Sequence, residues 1–355
     1  MTDALPHASH DVRGHSGPAC ADASNRNITG FLKGIAISSV LINHYTDINN
    51  YLAVHQPSYA NGIIALFFVL SGYGIFYSLN RFDSFNPGNL TAFYIRRAVR
   101  VFPIYWLSLL LFSYSRELRP FSADINTVRT YLAIPLFQAP SLFWFVTSLV
   151  QCYLLAPALY SALKKFGTGK YIISVLSLML LSSVCYSLSS MPYKLDHFVY
   201  RFLFLGHIFL FSLGLALPLV MKKPWLESFG NRAGLPMFIA FFAAVYLTRQ
   251  QSKFFLNSGV IAGPILVIAA VLFCFSVLKI NTPRPLMNLF SVLGAYSYSI
   301  YLFHIYYYET LFRMNFINTD NVKSIILTLV FLPVFLLFCM ALEKAAGRLC
   351  APLIS

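Results

Sequence analysis

TGFLKGIAISSVLINHYTD, residues 29–47, is apolar over most of its length yet carries three ionisable side chains, Lys33, His44 and Asp47. A run of this length and character is what a helix needs to cross about 30 Å of hydrocarbon. Ionisable groups inside such a run are costly in lipid, and for that reason they are functional candidates. Ten residues separate Lys33 from His44. At ~100° per residue the eleven steps make about three turns, so the two share one helix face, about 16 Å apart along the axis. Lys33 then lies near one membrane edge and His44 beyond the midplane. Asp47 follows His44 at a helical spacing and is placed to neighbour it. A carboxylate beside an imidazole holds its tautomer and raises its basicity, as a general base requires. The plainer alternative has Lys33 snorkelling to the headgroups and His44 serving as packing.

The rest of the chain has the same character. Of its 355 residues 58% are hydrophobic and only 11% charged, where a soluble domain carries about a quarter charged residues. An ordinary water-soluble enzyme is excluded. The net charge of +14 would suggest nucleic acid in a soluble chain; here it points to cytoplasmic loops between spans. Ten spans are expected, over 28–48, 60–80, 101–116, 142–163, 171–190, 201–221, 234–249, 258–279, 288–308 and 324–343. The fold class is therefore an all-α, polytopic transmembrane bundle. The apolar stretch 131–139 is too short to cross and reads as interfacial or re-entrant. With the N-terminus inside, sixteen Lys and Arg fall on cytoplasmic segments and nine on outer ones, which favours an N-in, C-in topology. Residues 1–27 read as a disordered cytoplasmic tail without a signal-peptide core. Residues 28–348 form one transmembrane domain, with no soluble domain expected after it. Neither the tail histidines His7, His10 and His15 nor the six cysteines have metal-ligand spacing, so no metal site is expected.

Three more stretches carry chemistry. ALFFVLSGYGIFYSL, residues 65–79, places Ser71, Gly72, Tyr73 and Gly74 in the second span; small residues allow close helix approach and a serine can hydrogen-bond across helices. FYIRRAVRVFPIYW, residues 93–106, puts Arg96, Arg97 and Arg100 ahead of Pro103. Spacings of three and four place them on one side of a helix. Converging guanidiniums suit phosphate through bidentate bonds, and a positive-inside anchor on lipid phosphates is the alternative. GAYSYSIYLFHIYYYE, residues 294–309, holds His304 within the ninth span among tyrosines, of which the later ones read as an interfacial belt. His207, in the sixth span, has no evident partner in sequence.

Together these stretches resemble acyltransferase family 3, the integral membrane O-acyltransferases. The resemblance rests on five motifs in family order. A basic residue, ten residues and a histidine are matched by Lys33 and His44, with Lys in place of the commoner Arg. FF-V-x-S-G-Y is matched by Phe67, Phe68, Val69, Ser71, Gly72 and Tyr73. R-x-x-R and a following proline are matched by Arg97, Arg100 and Pro103. W-F leading to Y-L-L-x-P is matched by Trp144, Phe145, Tyr153, Leu154, Leu155 and Pro157. S-Y-x-I-Y-L-x-H is matched by Ser297, Tyr298, Ile300, Tyr301, Leu302 and His304. Two family acids are missing: Ala65 stands where many members have Asp before the paired phenylalanines, and Val146 to Gln151 holds no carboxylate where many have Glu.

The resemblance implies a multi-pass enzyme of the cell (inner or plasma) membrane. It would move an acyl group, most often acetyl, from cytosolic acyl-CoA to a hydroxyl of a cell-surface or lipid-linked carbohydrate such as an exopolysaccharide or lipopolysaccharide. No tightly bound cofactor is implied. His44, with Asp47 beside it, would be the base; Lys33, Arg96, Arg97 and Arg100 would hold the CoA phosphates. Ser71, Tyr73, Trp144, Tyr298 and His304 are candidate oxyanion or acceptor contacts. The rival readings are a polysaccharide transporter or flippase, and an acyltransferase with a small-molecule or lipid acceptor.

Overall fold

The computed structural model describes residues 18–48, 60–115, 125–134, 144–188, 207–221, 284–317 and 322–353. Among them the only regular elements are helices. In chain order they are α1 (Pro18–Ile48), α2 (Ala60–Leu79), α3 (Pro87–Ser115), α4 (Ile125–Tyr131), α5 (Trp144–Phe166), α6 (Thr168–Leu188), α7 (Ile208–Val220), α8 (Arg284–Ala295), α9 (Ser297–Arg313) and α10 (Val322–Cys350), followed by a single 3₁₀ turn at Ala351–Leu353. The expected spans at 234–249 and 258–279 lie outside the described residues. By length and apolarity α5 and α10 can each cross a membrane alone, and the bent pair α8–α9 can count as a third span.

Two helix boundaries differ from the sequence reading. α1 starts at Pro18, inside the stretch read as tail: proline fits a first helical position, and Ala19, Ala21 and Ala23 favour helix. α3 starts at Pro87, well ahead of residue 101, so Arg96, Arg97 and Arg100 lie on the same continuous helix as the expected third span. The ninth span is not one rod. α8 and α9 meet at Tyr296 with a bend of 75°. The stretch 131–139 opens with the last residue of the short α4 and a turn as far as Ile134; residues 135–139 lie outside the described set. Interior prolines, Pro103 in α3, Pro157 in α5, Pro218 in α7 and Pro333 in α10, are tolerated because neighbouring groups can re-satisfy the freed carbonyls.

Two glycine-mediated crossings organise the bundle. α8 lies along α1 and α7 along α2. A Cβ on Gly34 would collide with the Phe290 carbonyl, and one on Gly294 with the Gly30 carbonyl. Gly30 and Gly34 are spaced as a GxxxG pair, which lets two backbones touch. Likewise a Cβ on Gly72 would strike the Phe211 carbonyl, and one on Gly214 the Val69 carbonyl. Gly74 was expected to share this role and does not: nothing stands within 4 Å of its Cβ position. The buried core around these crossings is rich in large side chains, among them Phe68, Leu70, Phe211, Ile300 and Phe303.

Buried hydroxyls join the helices further. Tyr308 Oη donates to the Leu41 carbonyl at 2.8 Å, and Tyr307 Oη to the Thr328 carbonyl at 2.6 Å. Tyr307 and Tyr308 are therefore not an interfacial belt; they are buried and tie α9 to α10 and α1. In hydrocarbon a tyrosine hydroxyl needs such an acceptor.

Candidate functional site

The helices that carry the basic motifs border a cavity of about 550 Å³. α1 contributes Lys33 to its wall, α2 contributes Ser71 and Tyr73, the turn after it Arg81, and α3 contributes Arg97 and Arg100. The α8–α9 break adds Gly294, Ser297 and Tyr298, and α10 adds Glu343. The glycine contact between α1 and α8 is what brings the break against Lys33.

The cavity is strongly cationic. Lys33, Arg81, Arg97 and Arg100 line it, against the single carboxylate of Glu343. Among the described residues no ion pair within 4 Å ties up these four cations. The Glu343 carboxylate instead accepts a 2.7 Å bond from Ser299 Oγ. Arg97 is held in place on two sides: its Nη2 donates to Ser78 Oγ at 3.1 Å, and its guanidinium lies 5.8 Å from the centre of the Phe93 ring. Its buried Nε has no partner among the described residues, which leaves a donor for an incoming anion. The first turn of α9, with Ser297 and Tyr298, also lines the cavity, and Tyr296 caps that helix without a side-chain bond. A helix N-terminus adds partial positive charge and free N–H groups.

The arginine cluster does not line the cavity as a unit. Arg96 is not among the lining residues. Its Nε bonds its own helix at the Ala92 carbonyl (3.1 Å), and its guanidinium lies over the Phe82 ring at 5.4 Å. One step of 100° separates neighbouring residues on a helix, enough to turn Arg96 away while Arg97 and Arg100, three apart, stay together. Arg81 replaces it in the cavity.

His44 is not part of the cavity wall. Its ring packs 4.8 Å from that of His304, centre to centre, with a 46° tilt. Tyr301 stands between the two regions: it lines the cavity and lies 5.6 Å from the His304 ring. Phe145 packs on Tyr301 at 4.9 Å and on Phe67 at 5.8 Å, completing an aromatic partition. Asp47 belongs to α1, but its side chain lies outside those described, as does that of Ala65.

The candidate contacts divide. Ser71 lines the cavity and makes no hydrogen bond among the described residues. Tyr73 lies beside Tyr77, with Oη to Oη at 3.2 Å. Tyr298 lines the cavity, but its hydroxyl donates to the Val101 carbonyl at 3.0 Å, so its proton is already committed to pinning α9 on α3. Trp144 is elsewhere, 5.3 Å from His207. His207, for which sequence offers no partner, stacks flat on Phe68 at 4.2 Å. Glu343 and Arg81 were not singled out from sequence; a lone carboxylate at the end of an apolar span is the signal that could have marked Glu343. Nothing in the spacing could have paired His44 with His304, which are far apart along the chain. Among the described residues no group of side chains has the makings of a metal site.

Residues 30–344 match a family model described as an acyltransferase domain. The chain belongs to acyltransferase family 3. No curated protein and no solved structure matches it. Membership in the acyltransferase family together with the apolar helices makes this a membrane protein that transfers acyl groups. The match reaches every helix that lines the cavity and includes its charged residues from Lys33 on α1 to Glu343 on α10.

Proposed function

We propose that this acyltransferase takes an acetyl group from acetyl-CoA on the cytoplasmic side and passes it to a hydroxyl of a cell-surface or lipid-linked carbohydrate. The observation that carries the reading is the cavity in which Lys33, Arg81, Arg97 and Arg100 outnumber one carboxylate. Coenzyme A presents a diphosphate and a 3′-phosphate, and guanidiniums bind phosphate oxygens through paired, charge-assisted bonds. Its pantetheine arm would run inward past Tyr301, which turns aside to admit the thioester to His44.

His44 takes the proton of the acceptor hydroxyl as that oxygen attacks the thioester carbonyl. The carbon–oxygen bond forms, and the tetrahedral oxyanion collapses as the carbon–sulfur bond breaks. The CoA thiolate then recovers the proton from His44. Among the candidates on the cavity side, Ser71 makes no hydrogen bond to another described residue, and its hydroxyl could serve as an oxyanion donor once the thioester passes Tyr301. Asp47, one turn on, would favour the His44 imidazolium by its charge once the proton is taken up. In an N-in topology His44 lies toward the outer half of the bilayer, so the acceptor would arrive from outside while CoA stays in the cytosol. The protein would work in the cell membrane without a tightly bound cofactor or metal.

The test is calorimetry of acetyl-CoA on the purified, detergent-solubilised protein, beside His44→Ala and the double variant Arg97→Ala/Arg100→Ala. Binding that survives the histidine change and falls with the arginine changes is expected. A folded protein that binds neither acetyl-CoA, succinyl-CoA nor free CoA would instead favour a polysaccharide transporter of the same ancestry.

A further inference from the structure

His304 is buried, with 3% of its surface exposed. Its Nδ1 lies in hydrogen-bond contact with the Tyr301 carbonyl. A carbonyl only accepts, so in the neutral ring Nδ1 carries the proton and Nε2 is left with a bare lone pair. Among the described residues that Nε2 has no partner. A buried, unsatisfied acceptor is expensive and is kept where something is to be held. The nearest imidazole is that of His44, its ring centre 4.8 Å away. Around them Tyr301 and Phe145 shut out the cavity, and the hollow on the other side of His304, by Ser108 and Tyr306, is only about 10 Å³.

We infer that His304 is a positioning residue for His44. Its Nε2 accepts the N–H of the His44 ring once that ring turns toward it, which leaves the other His44 nitrogen unprotonated and facing the acceptor hydroxyl. The backbone bond at Nδ1 keeps His304 in the one tautomer that can do this. When His44 takes up the proton, the same bond becomes charge-assisted and strengthens. His304 thus plays, as a neutral group, the part a carboxylate plays beside a catalytic histidine. The inference rests on the reading of His44 as the base.

The test is ¹⁵N NMR of the full-length protein labelled at histidine, with the His44 signals assigned by their loss in His44→Gln. His44 is expected in a single tautomer in the wild type and in His304→Gln, whose amide oxygen can accept from the place of Nε2. Both tautomers are expected in His304→Phe and in His304→Asn, whose shorter amide cannot reach. Should His304→Phe not fold, the Gln and Asn pair decides alone. An unchanged His44 tautomer in every foldable His304 variant would overturn the inference, as would scrambling by Asp47→Asn but by no change at His304. In the same samples acetyl-CoA is titrated, and release of its thiol is followed in membranes from the expressing cells. His304→Phe is expected to lower turnover about 10- to 100-fold, with His304→Gln partly restoring it and acetyl-CoA affinity unchanged in both. Wild-type protein that neither binds acetyl-CoA nor releases its thiol would defeat the acyltransfer reading, while the tautomer spectra still judge the pairing of the histidines.

Discussion

At the scale of single residues, the difference between Arg96 and Arg97 shows what one step of helix rotation does to adjacent identical side chains. Arg97 faces the cavity with a spare donor, whereas Arg96 lies on Phe82. Replacing Arg97 by alanine should weaken acetyl-CoA binding by about 1.5–3 kcal/mol, the worth of a hydrogen bond to a charged group. Arg96→Ala should leave the dissociation constant within about twofold, since its guanidinium lies over Phe82 and is not among the residues that line the cavity. Calorimetry on both variants separates the two, and equal losses would return Arg96 to the binding set. For His44, removal of a general base costs about 10²–10⁴ in rate. His44→Ala should therefore lose at least 100-fold of thiol release from acetyl-CoA while its melting temperature stays that of the wild type.

The glycines act at the scale of helices. Gly72 and Gly74 lie two residues apart on α2, and their surroundings are opposite: one meets the α7 backbone and the other open space. Gly72→Ala must push α2 off α7 and should lower the thermal midpoint in detergent by several degrees, about 1–3 kcal/mol as for overpacking. Gly74→Ala should raise it slightly, because a helical glycine costs about 0.5–1 kcal/mol against alanine. Destabilisation of similar size in both would mean that the α2–α7 crossing does not depend on Gly72. The same logic makes the bend at Tyr296 intelligible. α8 is held flat on α1 by Gly34 and Gly294, so the chain must turn there for α9 to cross the bundle, and the turn is what presents the N-terminus of α9 to the cations.

At the scale of the whole molecule, the question is which side the cavity faces. Lys33, Arg100, Ser297 and Glu343 come from four helices and Arg81 from the turn after α2, and the expected N-in, C-in path would put them on the inner side. Cys350, at the end of α10, is partly exposed. In a variant keeping Cys350 as its only cysteine, a membrane-impermeant maleimide should label inverted vesicles and spare intact cells. Labelling of intact cells would place the cavity on the outer face, out of reach of cytosolic CoA.

The family and the class of fold were legible in the chain. Apolar runs fix helix in a membrane because lipid cannot satisfy an open backbone, and five motifs in order identified the acyltransferase domain that spans residues 30–344. Arg97 and Arg100 could be read as neighbours because their spacing of three is local, and helix periodicity translates local spacing into a shared face; Lys33, on another helix, joined them as an expected phosphate holder through the resemblance. Other parts were not legible. The rotation of Arg96 out of the cavity, the entry of Glu343 and Arg81, the commitment of Tyr298 to Val101 and the meeting of His44 with His304 are contacts between distant segments. They depend on how far two backbones can approach and at what angle they cross, which glycines at Gly34, Gly72, Gly214 and Gly294 permit but do not by themselves specify. The sequence determined which groups are available to bind an anion and move a proton; only the packing of the helices decided which of them meet.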